Sequence, residues 1–172
     1  MKTIKYIAAT LALGAAGSTF AADVTLNFSG TLMLPTCSVT TGTANQNIPL
    51  GSARTTDFAA VGTTNNPAAF EIDLQNCANG TNVTMTVSGT QVGANVGVLA
   101  STGSAAGVGV QLLTTATVGA TTGTPLALNS AISRGAISGT TMTIPLAAQM
   151  YRTGTMSAGD VAAIATVNFT YN

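Results

Sequence analysis

The chain has 172 residues, only 6% of them charged, with no His, no Trp and a formal net charge of zero. Without His the usual general base and the commonest metal ligand are missing, and five basic residues in all exclude a nucleic-acid surface or an anionic-membrane patch. Abundant Thr, Ala, Val and Gly with few helix-favouring charges describe a β-protein with many turns.

Lys2 and Lys5 precede an apolar run from Tyr6 to Gly17, and Thr19-Phe20-Ala21 offers small residues where a signal peptidase reads. Residues 1–21 therefore read as a cleaved secretory leader, too short to span a bilayer. Cleavage after Ala21 leaves about 151 residues, enough for one domain. The exported part has no Lys; Arg54, Arg134 and Arg152 face Asp23, Asp57, Glu71, Asp73 and Asp160, a net charge of −2.

Alternation of apolar with polar or small residues marks the strands. The first carries Val24, Leu26, Phe28, Gly30, Leu32 and Leu34, and Pro35 interrupts it. Phe70, Ile72 and Leu74 alternate with Glu71, Asp73 and Gln75; Val83, Met85 and Val87 alternate with Thr84, Thr86 and Ser88. Val108, Val110 and Leu112 form another strand. Met142 to Met150 forms a long one, in which Pro145 points outward and predicts a place near a sheet edge. The last runs from Val161 to Tyr171, with Val161, Ala163, Ala165, Val167, Phe169 and Tyr171 on one face. Turns are expected at Asn65-Asn66-Pro67, Asn79-Gly80, Thr122-Gly123-Thr124-Pro125 and Thr153-Gly154. Six or seven such strands indicate an antiparallel sandwich.

Cys37 and Cys77 are the only cysteines, and in an exported chain they are expected to pair as one disulfide. No metal site is expected from two thiols alone. Glu71 and Asp73 sit on one strand face, but their apolar neighbours take the buried face, so the acids are expected in water rather than in a catalytic pair. No Gly-x-Ser-x-Gly elbow occurs, and the Gly-rich segments lack the Lys and the strand–helix setting of a phosphate loop. The residues suggest neither an enzyme nor a cofactor.

Both ends of the exported chain share a peculiarity. The first strand begins next to the cleavage point, where a free end is poorly ordered unless something ties it down. The last ends the sequence with no later strand to cover its far side. Long apolar strands left exposed aggregate, so the pair reads as one strand to give and one edge to receive it.

Several stretches together resemble type 1-family fimbrial subunits of the chaperone–usher pathway. ADVTLNFSGTLMLPTCSV at the start resembles a pilin donor strand followed by the first Cys, and IPLGSARTTDF (48–58) the loop after it. FEIDLQNC (70–77), VGVQLL (108–113) and IPLAAQMYRTG (144–154) are similar to later pilin strands. The ending carries the penultimate aromatic, Tyr171, and a Gly fourteenth from the end, Gly159.

The resemblance implies an incomplete immunoglobulin-like antiparallel sandwich that lacks its final strand and is completed by donor-strand exchange. It divides the chain into a leader (1–21), a donor-strand extension (22–35) and a pilin domain (36–172). It assigns Val24, Leu26, Phe28, Gly30 and Leu32 to the donor strand. Gly159, Val161, Ala163, Ala165, Val167, Phe169 and Tyr171 fall to the acceptor groove and chaperone-recognition strand. The implied partners are neighbouring pilins, a periplasmic chaperone and an outer-membrane usher of a Gram-negative cell. The implied destination is a cell-surface fimbrium that supports adhesion and biofilm formation. Two alternatives stand beside a rod-building role: a minor tip or adaptor pilin, and a self-contained carbohydrate-binding sandwich. The second would need exposed aromatics for stacking on sugars.

Overall fold

The computed structural model describes residues 27–31, 36–93 and 97–172. Two compact units divide the chain, Met1–Leu32 and Met33–Asn172. In the first, residues 27–31 are exposed and form no regular element. The expected leader, and Val24, Leu26 and Leu32 of the expected first strand, lie outside the described residues.

Among the described residues the second unit holds nine strands: β1 (Ser38–Val39), β2 (Thr64–Gln75), β3 (Asn82–Ser88), β4 (Val98–Ala100), β5 (Ala106–Thr114), β6 (Thr124–Pro125), β7 (Ala131–Ala136), β8 (Met142–Ser157) and β9 (Thr166–Tyr171). Thr41–Ala44 and Thr55–Asp57 add one helical turn each. One sheet runs β1-β2-β8-β5-β4, with β6 also pairing with β5; the other runs β7-β3-β9. Every strand pair is antiparallel. The two sheets form an immunoglobulin-like antiparallel sandwich.

β3 shows why. Its Val83, Met85 and Val87 are at most 1% exposed, while the Thr and Ser between them stay half-buried. These residues meet Ile72 and Leu74 of β2, Val110 and Leu112 of β5, and Ile144 and Leu146 of β8 in one core. Burying such side chains contributes roughly 1.5–3 kcal/mol each.

At three expected turns the structure departs from the sequence expectations. Asn65-Asn66-Pro67 is no turn but a bulge inside β2, where the register with β8 shifts between Asn65 and Ala68. Asn66 takes a φ of 51°, which Asn tolerates better than most residues, and its side-chain amide donates to the Ser52 carbonyl at 2.9 Å. Thr153-Gly154 is also strand, because β8 continues to Ser157. Thr124 and Pro125 form the short β6 instead of a turn.

Pro145 sits in β8, which lies between β2 and β5 in its sheet, yet at the end of β8 that β5 does not reach, a local edge. The β5–β8 ladder ends at Thr114 and Leu146, and the Pro145 carbonyl accepts from Thr115 N. A strand residue points N and C=O to the same side, so the missing N–H of Pro145 faces the place where β5 has stopped. The open side spans the first residues of β8, Met142–Pro145, and no ladder bond is lost. The Asn79-Gly80 turn is present, with Gly80 at a φ of 82°.

The Cys37–Cys77 disulfide ties the chain ahead of β1 to the end of β2, with Cα atoms 4.3 Å apart. Glu71 and Asp73 are half-buried on β2. Asp73 accepts the Thr143 hydroxyl at 2.6 Å, an interaction across the β2–β8 pair.

Candidate functional site

β9 begins at Thr166, later than the alternation from Val161 suggested, because its partner β3 ends at Ser88, opposite Thr166. Just beyond β9, Asn82 and Asn172 exchange both backbone bonds, at 2.8 and 3.1 Å. In an antiparallel ladder bonded and non-bonded pairs alternate. Thr166, Asn168 and Thr170 therefore bond to β3, and Val167, Phe169 and Tyr171 turn their N–H and C=O groups away from it. Among the described residues no strand pairs with that far side.

The same odd residues send their side chains inward. Val161, Ala163, Val167, Phe169 and Tyr171 are half-buried and packed against the core. The rings of Phe169 and Tyr171 stack with centroids 6.4 Å apart. Partial burial pushes the Tyr171 phenol pKa above its ordinary value. Even-numbered neighbours face out, Ile164 with 80% of its surface exposed.

Beside this edge lies a groove of about 1220 Å³. One wall holds Gly159, Val161, Ala163, Ala165, Val167 and Phe169. Ile48, Pro49, Leu50, Ala53 and Phe58 also line it, and Val110, Leu112, Leu126, Leu146 and Ala148 reach it from the core. These core residues keep at most 8% of their surface exposed, so the open apolar surface of the groove comes from the half-buried residues around them. Beyond the main core a second apolar cluster gathers Phe58, Val108 and Met150, with Met156 and Val161 against it.

Of the residues singled out in the sequence, the structure thus places all of the last-strand set except Tyr171 on the groove lining, Ala165 and Gly159 among them although both are exposed. Phe28 is 90% exposed, and the Cβ position of Gly30 meets nothing within 4 Å. Residues 48–58, expected from sequence only as a loop after the first strand, contribute to the lining as well. Their trace is the apolar triplet Ile48-Pro49-Leu50 between polar runs. Arg152 fixes that loop: its Nη1 donates to the Phe58 carbonyl at 2.8 Å and its Nε to the Gly154 carbonyl at 3.0 Å. Among the described residues, no group of three or more His, Cys, Asp or Glu is placed to hold a metal ion.

The fimbrial protein family matches residues 26–172. A type-1 fimbrial protein subunit of Serratia marcescens is 34% identical over 112 residues, 62% of this chain and 62% of that relative. The A chain of the type-1 fimbrial protein of Escherichia coli K12 is 34% identical over 170 residues, covering 96% of this chain and 91% of the relative. Among solved structures, a chain of a chaperone–usher pilus superposes with a TM-score of 0.67 at 19% identity, over 91% of this chain and 100% of that one. That likeness speaks for the fold. Together with the matched residues and the near-complete alignment to the K12 subunit, it leads to one conclusion: the chain belongs to the fimbrial protein family, as a fimbrial subunit.

Proposed function

We propose that this subunit polymerises by donor-strand exchange, its groove receiving the segment Ala22–Leu34 of a neighbouring copy. The observation that carries the reading is the unpaired side of β9 beside a groove whose rim holds half-buried apolar side chains. A strand laid there would meet both needs, pairing with the backbone groups of Val167, Phe169 and Tyr171 and covering the half-buried side chains below.

The donor is the alternating segment at the start of the exported chain. Val24, Leu26, Phe28 and Leu32 supply four large side chains, worth roughly 1.5–3 kcal/mol each when buried, and Gly30 permits close backbone approach. Residues 1–21 act as the leader, 22–35 as the extension and 36–172 as the pilin domain. Before assembly a periplasmic chaperone occupies the groove, and an outer-membrane usher directs the exchange. The product is a cell-surface fimbrium that serves adhesion and biofilm formation.

The test is Leu26→Asp, and separately Phe28→Asp, in cells that assemble the fibre. Either change should abolish polymers on the cell surface, seen by electron microscopy, while the subunit still accumulates in the periplasm. Normal fibres from either variant would overturn the reading.

A further inference from the structure

The β3–β9 ladder stops at Ser88 and Thr166, yet a few residues further back, at Asp160 and Ala162, the chain regains a partner. The Ser101–Ala105 loop supplies it. Thr102 N donates to the Ala162 carbonyl at 2.7 Å, and Ala105 N to the Asp160 carbonyl at 3.0 Å. In return the Ser104 hydroxyl accepts from Asp160 N at 3.0 Å, and the Ser101 hydroxyl accepts from Ala162 N at 3.3 Å. Two serine oxygens stand in for the carbonyls that a strand would present.

The parity of β9 is preserved through this loop. Residues 160 and 162 are bonded to their own chain, as 166, 168 and 170 are. Val161 and Ala163 keep their side chains on the groove, and their backbone groups turn to the unpaired side.

Two glycines make the approach possible. A Cβ on Gly159 would lie 2.5 Å from Ala105 N and 2.7 Å from the Ser104 hydroxyl oxygen; one on Gly103 would run into the Asp160 carbonyl. Neither glycine has a positive φ, so what is needed is the missing side chain and not conformational freedom.

We propose that the Ser101–Ala105 loop is a clasp that lengthens the strand-receiving edge from β9 to the whole span Val161–Tyr171. Ser101 and Ser104 are its positioning residues, and Gly159 serves it by close fit. The consequence for strand addition rests on the proposed groove. With the clasp, an incoming strand pairs along eleven residues; without it, along the six of β9.

The experiment compares the exported chain with its Ser101→Ala/Ser104→Ala variant and with Ser104→Thr, which keeps a hydroxyl. Two quantities are read: amide hydrogen exchange, and affinity for a synthetic peptide of residues 22–34 and for two forms of it shortened by four residues at either end. In the double variant the amides of Asp160 and Ala162 should lose about tenfold of their protection, while those of Asn168 and Thr170 keep theirs. The wild type should prefer the full peptide to one shortened form by about tenfold; the double variant should lose that preference, and Ser104→Thr should retain most of it. Unchanged exchange at 160 and 162, or unchanged length preference, would overturn the clasp. If the wild type binds none of the peptides, the groove reading fails by itself. Exchange at 160 and 162 then decides the clasp alone: lost protection upholds it and kept protection overturns it.

Discussion

Asn129 extends a ladder with a side chain. Its Oδ1 accepts from Gly89 N and its Nδ2 donates to the Gly89 carbonyl, both at 3.1 Å, while its own N–H reaches the Val87 carbonyl at 2.8 Å. One amide thus imitates a further strand residue beside the end of β3. Its φ of 55° also suits Asn better than a residue with no local hydrogen bond to offer. Asn129→Ala should lower stability by about 2–3 kcal/mol through two lost bonds and the left-handed backbone, read as a drop in urea midpoint. An unchanged midpoint would sink this account. Tyr171 makes a pH prediction. Partial burial raises its phenol pKa in the folded chain, so the folded state holds the proton more tightly than the unfolded state does. That stabilisation is complete below the unfolded value of about 10 and fades as pH rises past it. Tyr171→Phe should flatten the alkaline fall in stability; the same fall in the variant would assign it to another group.

The disulfide acts on elements, because it ties the chain ahead of β1 to the end of β2 across a separation of 40 residues. Closing a loop of that length stabilises by about 4 kcal/mol in the chain-entropy view. Cys37→Ser with Cys77→Ser should therefore shift chemical unfolding by about that amount; a shift below about 1 kcal/mol would contradict it. Element existence was legible wherever one face is buried and the other wet. β3 and the second half of β2 could be read straight from alternation. Alternation does not report who holds the backbone. It marked Val161 to Tyr171 as one strand because the side chains keep parity throughout, although two different partners hold the halves. Pro145 marked an edge that is only local: the rule that Pro avoids ladders applies to one N–H, and β8 is open on that side over Met142–Pro145, where β5 has ended. The bulge at Asn66 and the strand through Thr153-Gly154 depend on neighbouring strands, which residue types at those positions do not reveal.

At the scale of the molecule, the groove was half legible. One wall followed from the last strand, but the lining from Ile48 to Phe58 depends on Arg152 holding a loop from 94 residues away in sequence. The sandwich leaves Phe169, Val167 and Val161 only partly covered, so a peptide of residues 22–34 should raise the melting temperature of the exported chain, as a ligand of the native state alone does. It should also displace a hydrophobic dye. No rise at saturating peptide would count against the groove as its site. The register of β9 carries a mechanical consequence. A strand seated on its far side would make β9 the middle member of a three-strand splice, bonded to β3 by its even residues and to the newcomer by its odd ones. Were the newcomer antiparallel, its bonds would lie across the strands, and tension along the strand axis would load every rung at once, in shear. Such a joint does not peel from one end; it holds until all its rungs give way together.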